Sequence, residues 1–366
     1  MQQMGLVDND LSQVNPNMVI LARESRGLSQ KILAEQLGTT QERISKIEAG
    51  LRPVSDELLT GFVRILDYPA HFFFQEGSRI GIGITDVFHR KLQRVPAKTL
   101  NRIYAQIEVR IRHIAALLRA IDVPCKVPRF DIDDYEGRVD EIAQLVRANW
   151  HLPRGPIQNL TKVMEDAGIL IIPMDFGVET REVDAISRWV PALPPLVFMN
   201  ERSPKDRCRY SLAHELGHLV MHEKPTANIE DQADRFAGEF LLPQREIHAD
   251  LVDASLPKLA LLKRYWKVSM AALLHRAKDL DAITPSRARY LWAQMSKAGY
   301  NVREPVELDV HGEKPTLLRE MIEAHLDELG YTGDELKEVL ALSKREVRAL
   351  YLGDEPNGRL KAIRAV

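Results

Sequence analysis

In "YSLAHELGHLVMH", residues 210–222, two histidines stand four positions apart and a glutamate follows the first. On a helix, His214 and His218 fall one turn apart on one face, so their imidazoles can converge on a single ion, and Glu215 projects beside them toward a metal-bound water. This pattern restricts the fold more than any other in the chain. A catalytic zinc takes three protein ligands and keeps a fourth position open, so a second element must bring a third donor to this helix. Apart from the motif itself, every residue from Ser211 to Met221 is uncharged, as expected of a helix sunk beneath a cleft. The plainer alternative is a buried amphipathic helix with satisfied histidines, and the segment that follows weighs against it. "EDQADRFAGEFLLP", residues 230–243, reads as a second helix with Ala233, Phe236, Ala237, Phe240 and Leu241 facing inward. It carries Glu230 and Asp234 one turn apart. One carboxylate can bind the metal while the other accepts the remaining N–H of a liganding histidine.

Such a site predicts hydrolysis. Zn2+ lowers the pKa of its water toward ~7, Glu215 takes the proton, and the resulting hydroxide attacks a peptide carbonyl polarised by the same ion. Tyr210, His222 and Arg188 are the candidate oxyanion donors. His222 and His275 fit structural roles better than metal ligation. Cys208, six residues before His214, fits a small buried residue better than a ligand. Ahead of the motif, "ILIIP", "AISRWV" and "PLVFMN" read as three short strands, and an exposed edge strand among them could pair with an extended peptide.

With 366 residues the chain exceeds one typical domain. Hydrophobic residues at 45% and charged residues at 28% describe a soluble globular protein. No apolar run is long enough to span a bilayer, and the first fifteen residues lack the basic start and apolar stretch of a signal peptide, so a cytoplasmic protein without a membrane partner is expected. Two cysteines are too few for a disulfide framework and agree with a reducing compartment. Proline and glycine breaks divide the chain into residues 1–78, a basic amphipathic linker helix within 79–125, a mixed region at 126–300, and a segment at 301–366. The fold class expected is mainly α with a small α+β core, helical from Pro243 to the C-terminus.

The first segment has its own signature. In "RGLSQKILAEQLGTTQERISKIEAG", residues 26–50, Ser29 caps a short helix, Gly38 turns the chain, and Thr40 caps a second helix with Ile44 and Ile47 inward. A turn this short crosses the helices steeply and leaves the outer face of the second, with Gln41, Glu42, Arg43 and Lys46, free to enter a major groove. Residues 16–79 hold eight Lys or Arg and eight Asp or Glu, so there is no strong pull on phosphate, and a homodimer reading two half-sites would supply affinity. Residues 90–119 offer a second source, with eight Lys or Arg against the single acid Glu108.

The C-terminus repeats this module without gaps. "GYTGDELKEVLALSKREVRALYLG", residues 330–353, lies over residues 27–50 with Thr332 on Ser29, Leu336 on Leu33, Leu340 on Leu37, Ser343 on Thr40, Val347 on Ile44 and Leu350 on Ile47. Caps and core are kept and the outward positions are not. The repeat therefore predicts a degenerate helix-turn-helix used for packing.

Residues 26–50 resemble the Cro/repressor-type (XRE) helix-turn-helix family over about 60 residues, including the Ser29–Gln30 pair and the "SKIEAG" ending. That resemblance implies double-stranded DNA as a partner, with Gln30 and Gln41 at phosphate and base edges and Arg43 and Lys46 on groove or backbone. Residues from about 149 to 277 resemble the ImmA/IrrE family of zinc metallopeptidases through "GPIQNL", "DRCRYSLAHELGHLVMH", the "ExxAD" and "FLLP" of the second helix, and "LKRYWKVSMAALLHRA". The resemblance implies a gluzincin-like core with a short three-stranded sheet, His214, His218 and Glu230 on zinc, Glu215 as base and Asp234 bonded to a ligand. Asp234 stands where many relatives carry Asn, and Cys208 where another residue is usual. The family implies cleavage of a partner transcriptional repressor, releasing stress or mobile-element genes. The alternative is a transcription regulator, in a toxin–antitoxin cassette for example, that uses the zinc domain as sensor or scaffold without turnover.

Overall fold

The computed structural model describes residues 13–79, 95–177, 183–223 and 228–352. Basic residues Arg90, Lys91 and Arg94 of the linker lie outside the described residues. By its internal contacts the chain divides into two compact units, one made of Met1–Gly81, Pro96–Asp122 and Arg319–Val366, the other of Ile82–Val95 and Val123–Leu318. Among the described residues no helix is long and apolar enough to cross a membrane.

The first unit begins with four helices, α1 (Pro16–Ser25), α2 (Gln30–Gln36), α3 (Gln41–Glu48) and α4 (Asp56–Leu66). The caps are those the sequence predicts: the Ser29 hydroxyl accepts from the Ile32 N–H and the Thr40 hydroxyl from the Arg43 N–H, each at 3.2 Å. Gly38 makes the turn at φ +65. Met18, Leu21, Leu33, Ile44, Ile47 and Phe62 fill the core. The long helix α5 (Ala97–Leu117) packs along α1.

In the second unit α6 (Val139–Asn149) and α7 (Leu160–Asp166) precede a sheet of β1 (Leu170–Met174), β2 (Ala185–Arg188) and β3 (Leu196–Asn200). Helix α7 starts at Leu160 because the Asn159 side chain caps it by accepting from Lys162 N–H at 2.9 Å. The strand order is β1-β3-β2, with β1 parallel and β2 antiparallel to β3. Helices α8 (Lys205–Met221), α9 (Ile229–Leu241), α10 (Gln244–Leu251), α11 (Leu256–Trp266), α12 (Met270–Asp279) and α13 (Pro285–Lys297) follow. Ile171, Val197, Leu212, Leu216, Phe236 and Phe240 lie in one apolar core shared by sheet and helices. Helix does not continue unbroken from Pro243: residues 298–316 contain only the short 3-10 turn Val306–Leu308, which Pro305 introduces.

After α14 (Leu317–Asp327) the repeat forms α15 (Gly333–Leu340) and α16 (Lys344–Val347). Thr332 and Glu335 make a reciprocal capping box. Leu336, Leu340 and Val347 are buried as their matches predict, but Leu350 is 39% exposed where Ile47 is 1%. The chain widens into a π turn over Arg348–Leu352, which rotates the face and buries Tyr351 instead.

Candidate metal centre

Helices α8 and α9 approach closely because Gly217 faces Phe236; a Cβ there would stand 3.1 Å from the ring. This contact brings the acidic start of α9 to the histidines of α8. Nε2 of His214 and Nε2 of His218 are 3.1 Å apart, and the Glu230 carboxylate lies 3.4 Å from the second and 4.0 Å from the first. Ligand atoms at about 2.0–2.1 Å from a tetrahedral zinc stand about 3.3 Å from each other. The three side chains, whose ligand atoms all lie within 4.8 Å of one another, therefore fit that ion.

The far ring nitrogens fix which atoms face inward. Nδ1–H of His214 donates to Asp234 Oδ1 at 2.8 Å, leaving the Nε2 lone pair for a metal. His218 is held through a third histidine: His222 Nε2–H donates to Gln232 Oε1 at 2.9 Å, so His222 Nδ1 accepts from His218 Nδ1–H, also at 2.9 Å. Burial holds the His222 pKa down at about 4, which keeps that accepting lone pair. Burial also opposes charge on His214, but the bond to Asp234 and the negative charges of Asp234, Glu215 and Glu230 outweigh it and raise its pKa. The same acids favour a cation at this point.

Glu215 is 3% exposed, and its Oε2 accepts from the Ser187 backbone N–H at 2.8 Å. Strand β2 is an edge strand, yet all four of its residues are buried, because it runs along α8, where Trp189 Nε1–H also donates to Leu219 C=O at 2.9 Å. The free peptide-binding edge expected from the sequence is thus covered at β2. Tyr210 donates to the Asp234 carbonyl at 3.0 Å, and burial raises its pKa, so it stays a donor. Arg188 is buried at the end of β2. His222, expected as an oxyanion donor, has both ring nitrogens engaged. Cys208 is buried, donates to Ser203 C=O at 3.5 Å, and has its pKa pushed up to about 11 by burial, as suits an inert thiol. Sequence reasoning missed Gln232 and Ser187. Gln232, two residues past Glu230, carries a visible side chain, whereas Ser187 acts through its backbone and leaves no trace in the sequence.

In the other unit α3 presents Gln41, Glu42 and Lys46 exposed and Arg43 half-buried, with Lys46 paired to Glu42 at 2.7 Å. Gln30 does not project freely: its Nε2–H donates to Glu48 Oε2 at 2.8 Å, and Glu48 is held by the buried Arg23.

Residues 19–73 match a helix-turn-helix family model, and residues 164–278 match the model of the Peptidase M78 family, described as the IrrE N-terminal-like domain. Over 63 residues the chain is 38% identical to an uncharacterized HTH-type transcriptional regulator of Sinorhizobium medicae and, at the same identity, to one of Rhizobium meliloti. Those matches cover 17% of this chain and 45% of each relative, so the chain spans less than half the length of the curated relatives it matches. No solved structure matches.

Proposed function

From a chain that carries a DNA-binding helix-turn-helix domain at residues 19–73 and an IrrE-like metallopeptidase-family domain at 164–278, we propose a cytoplasmic, DNA-binding zinc metalloendopeptidase that cleaves a partner transcriptional repressor. The observation that carries this reading is the convergence of His214, His218 and Glu230, with the Glu215 carboxylate beside them and held by Ser187. Zinc bound to those three residues supplies a water acidified to about pKa 7 and a Lewis acid for the peptide carbonyl. Asp234 and His222 keep the two imidazoles in the ligating tautomer. Glu215 accepts the proton of the attacking water and delivers it to the departing amine. Tyr210 and Arg188 remain the candidates for holding the carbonyl oxygen, Tyr210 only by exchanging its bond to the Asp234 carbonyl for one to substrate. Two free cysteines agree with a reducing compartment.

One zinc per chain is expected by elemental analysis, with Glu230→Gln losing most of it. Glu215→Gln keeps zinc and fold but cuts cleavage of a repressor encoded beside the gene by about 10²–10⁴-fold. Full zinc in a His214→Ala, His218→Ala double variant would end the proposal. The buried β2 edge favours, as a second reading, a regulator whose zinc domain is a scaffold; Glu215→Gln with undiminished output decides for it.

A further inference from the structure

Against the helix-turn-helix, on the side of the α1–α2 turn, lies a cleft of about 430 Å³ whose opposite wall is the start of α5. We infer that this cleft seats the DNA backbone flanking the groove that α3 enters, with Lys98 and Arg102 of α5 and Lys31 of α2 as phosphate contacts. The inference rests on the DNA-binding reading of residues 19–73 and extends it to a helix outside that match.

Gln41, the first residue of α3, lines the cleft together with Gln30, so the cleft begins where the recognition helix would meet the duplex. Lys31, Lys98 and Asn101 are exposed there, and among the described residues neither lysine pairs with a carboxylate. The one acid of the lining, Glu24, is already bound to Arg79 at 3.0 Å and lies 3.6 Å from Arg23. Arg102 is directed to the cleft by packing: its stem covers the α1–α2 turn at Gly27, where a Cβ would meet Arg102 Cδ at 3.3 Å. Gly27 has φ +68, a conformation that glycine adopts freely, so turn and arginine are fitted to each other. Lys98 stands in the first turn of α5, where no acid offsets the helix field that opposes a cation. An external anion removes that conflict. The helix-turn-helix has balanced charge by itself, and α5 supplies the excess cations that sequence-independent affinity requires.

The test measures binding of the full-length protein to a labelled random-sequence 20-base-pair duplex over a range of salt. In Lys98→Gln with Arg102→Gln, which keeps the stems, the slope of log K against log salt should become shallower by about 1.8, at about 0.9 per lost phosphate contact. Zinc content and melting temperature should be unchanged. Lys98→Arg with Arg102→Lys, which keeps the charge, should retain the wild-type slope. If wild type binds the duplex and the Gln pair binds with the same slope, the cleft is not a phosphate seat and the inference falls alone. If wild type fails to bind the duplex even at low salt, the DNA reading and the inference fall together.

Discussion

At the residue scale the candidate metal centre is held in place by side chains outside the three proposed ligands. His222 and Gln232 fix the tautomer of His218 as Asp234 fixes that of His214. His222→Phe keeps the ring and the burial but removes the acceptor for His218 Nδ1–H, so zinc affinity should fall about 10–100-fold in a chelator competition. Unchanged affinity would show that His222 only fills space. Gly217 makes a different prediction. Alanine there improves helix propensity, yet its methyl must displace the Phe236 ring, and overpacking of this kind costs about 1–3 kcal/mol. Gly217→Ala should therefore melt earlier and hold zinc less tightly, as α9 is pushed off α8. The pairing of His214 with His218 was legible because a helix converts spacing into proximity, whereas the choice of Glu230 over Asp234 as the third donor came only from the family resemblance. Ser187 was not legible, since its contribution is a backbone N–H placed by the path of β2 along α8.

At the element scale the repeat shows what a match of pattern secures and what it leaves open. Caps at Thr332 and Ser343 and the inward Leu336, Leu340 and Val347 followed from alignment with the first module. The exchange of Leu350 for Tyr351 did not, because it depends on what the helix packs against. Tyr351 hydroxyl meets His113 Nδ1 at 2.5 Å on α5, and Arg110 of the same helix donates to that hydroxyl at 3.1 Å. Glu346, on the helix that matches α3, is bonded to Arg26 at 2.6 Å, and its neighbour Arg345 to Asp67 at 2.9 Å. The outward face of α16 is thus engaged with the first module. Burial, and then the charge of Arg110, depress the His113 pKa well below its ordinary value. A histidine depressed in the folded state contributes stability that is present above its unfolded pKa of about 6.5 and is lost as pH falls through that value, because the unfolded chain takes up the proton first. Hydrogen-exchange protection factors in residues 333–352, taken against the intrinsic rate at each pH, should accordingly fall between pH 7.5 and 5.5 in wild type and show no such fall in His113→Phe. Ala341 takes the left-handed turn that Gly38 takes in the first module, at φ +50, so Ala341→Gly should stabilise this segment, by up to about 1 kcal/mol.

At the scale of the whole molecule the chain joins a DNA-binding helix-turn-helix domain to an IrrE-like metallopeptidase-family domain, and the placing of their residues in different units makes the proposed contributions separable. Arg43 belongs to α3, in one unit, and Glu215 to α8, in the other. Arg43→Ala should weaken binding to the chain's own upstream region at a stated salt concentration, while zinc content and cleavage of free repressor in solution stay at wild-type levels. Glu215→Gln should do the reverse, binding DNA normally while cleavage falls about 10²–10⁴-fold. In cells the two lesions then diverge in a way that identifies the output. If proteolysis is the output, Glu215→Gln holds the repressor's target genes shut under inducing stress as a deletion does, and Arg43→Ala induces late or at higher stress, because it must find the repressor without the shared DNA. If Glu215→Gln induces as well as wild type does while Arg43→Ala does not, the chain is itself the transcription factor, and the metal centre serves to hold α8 against α9.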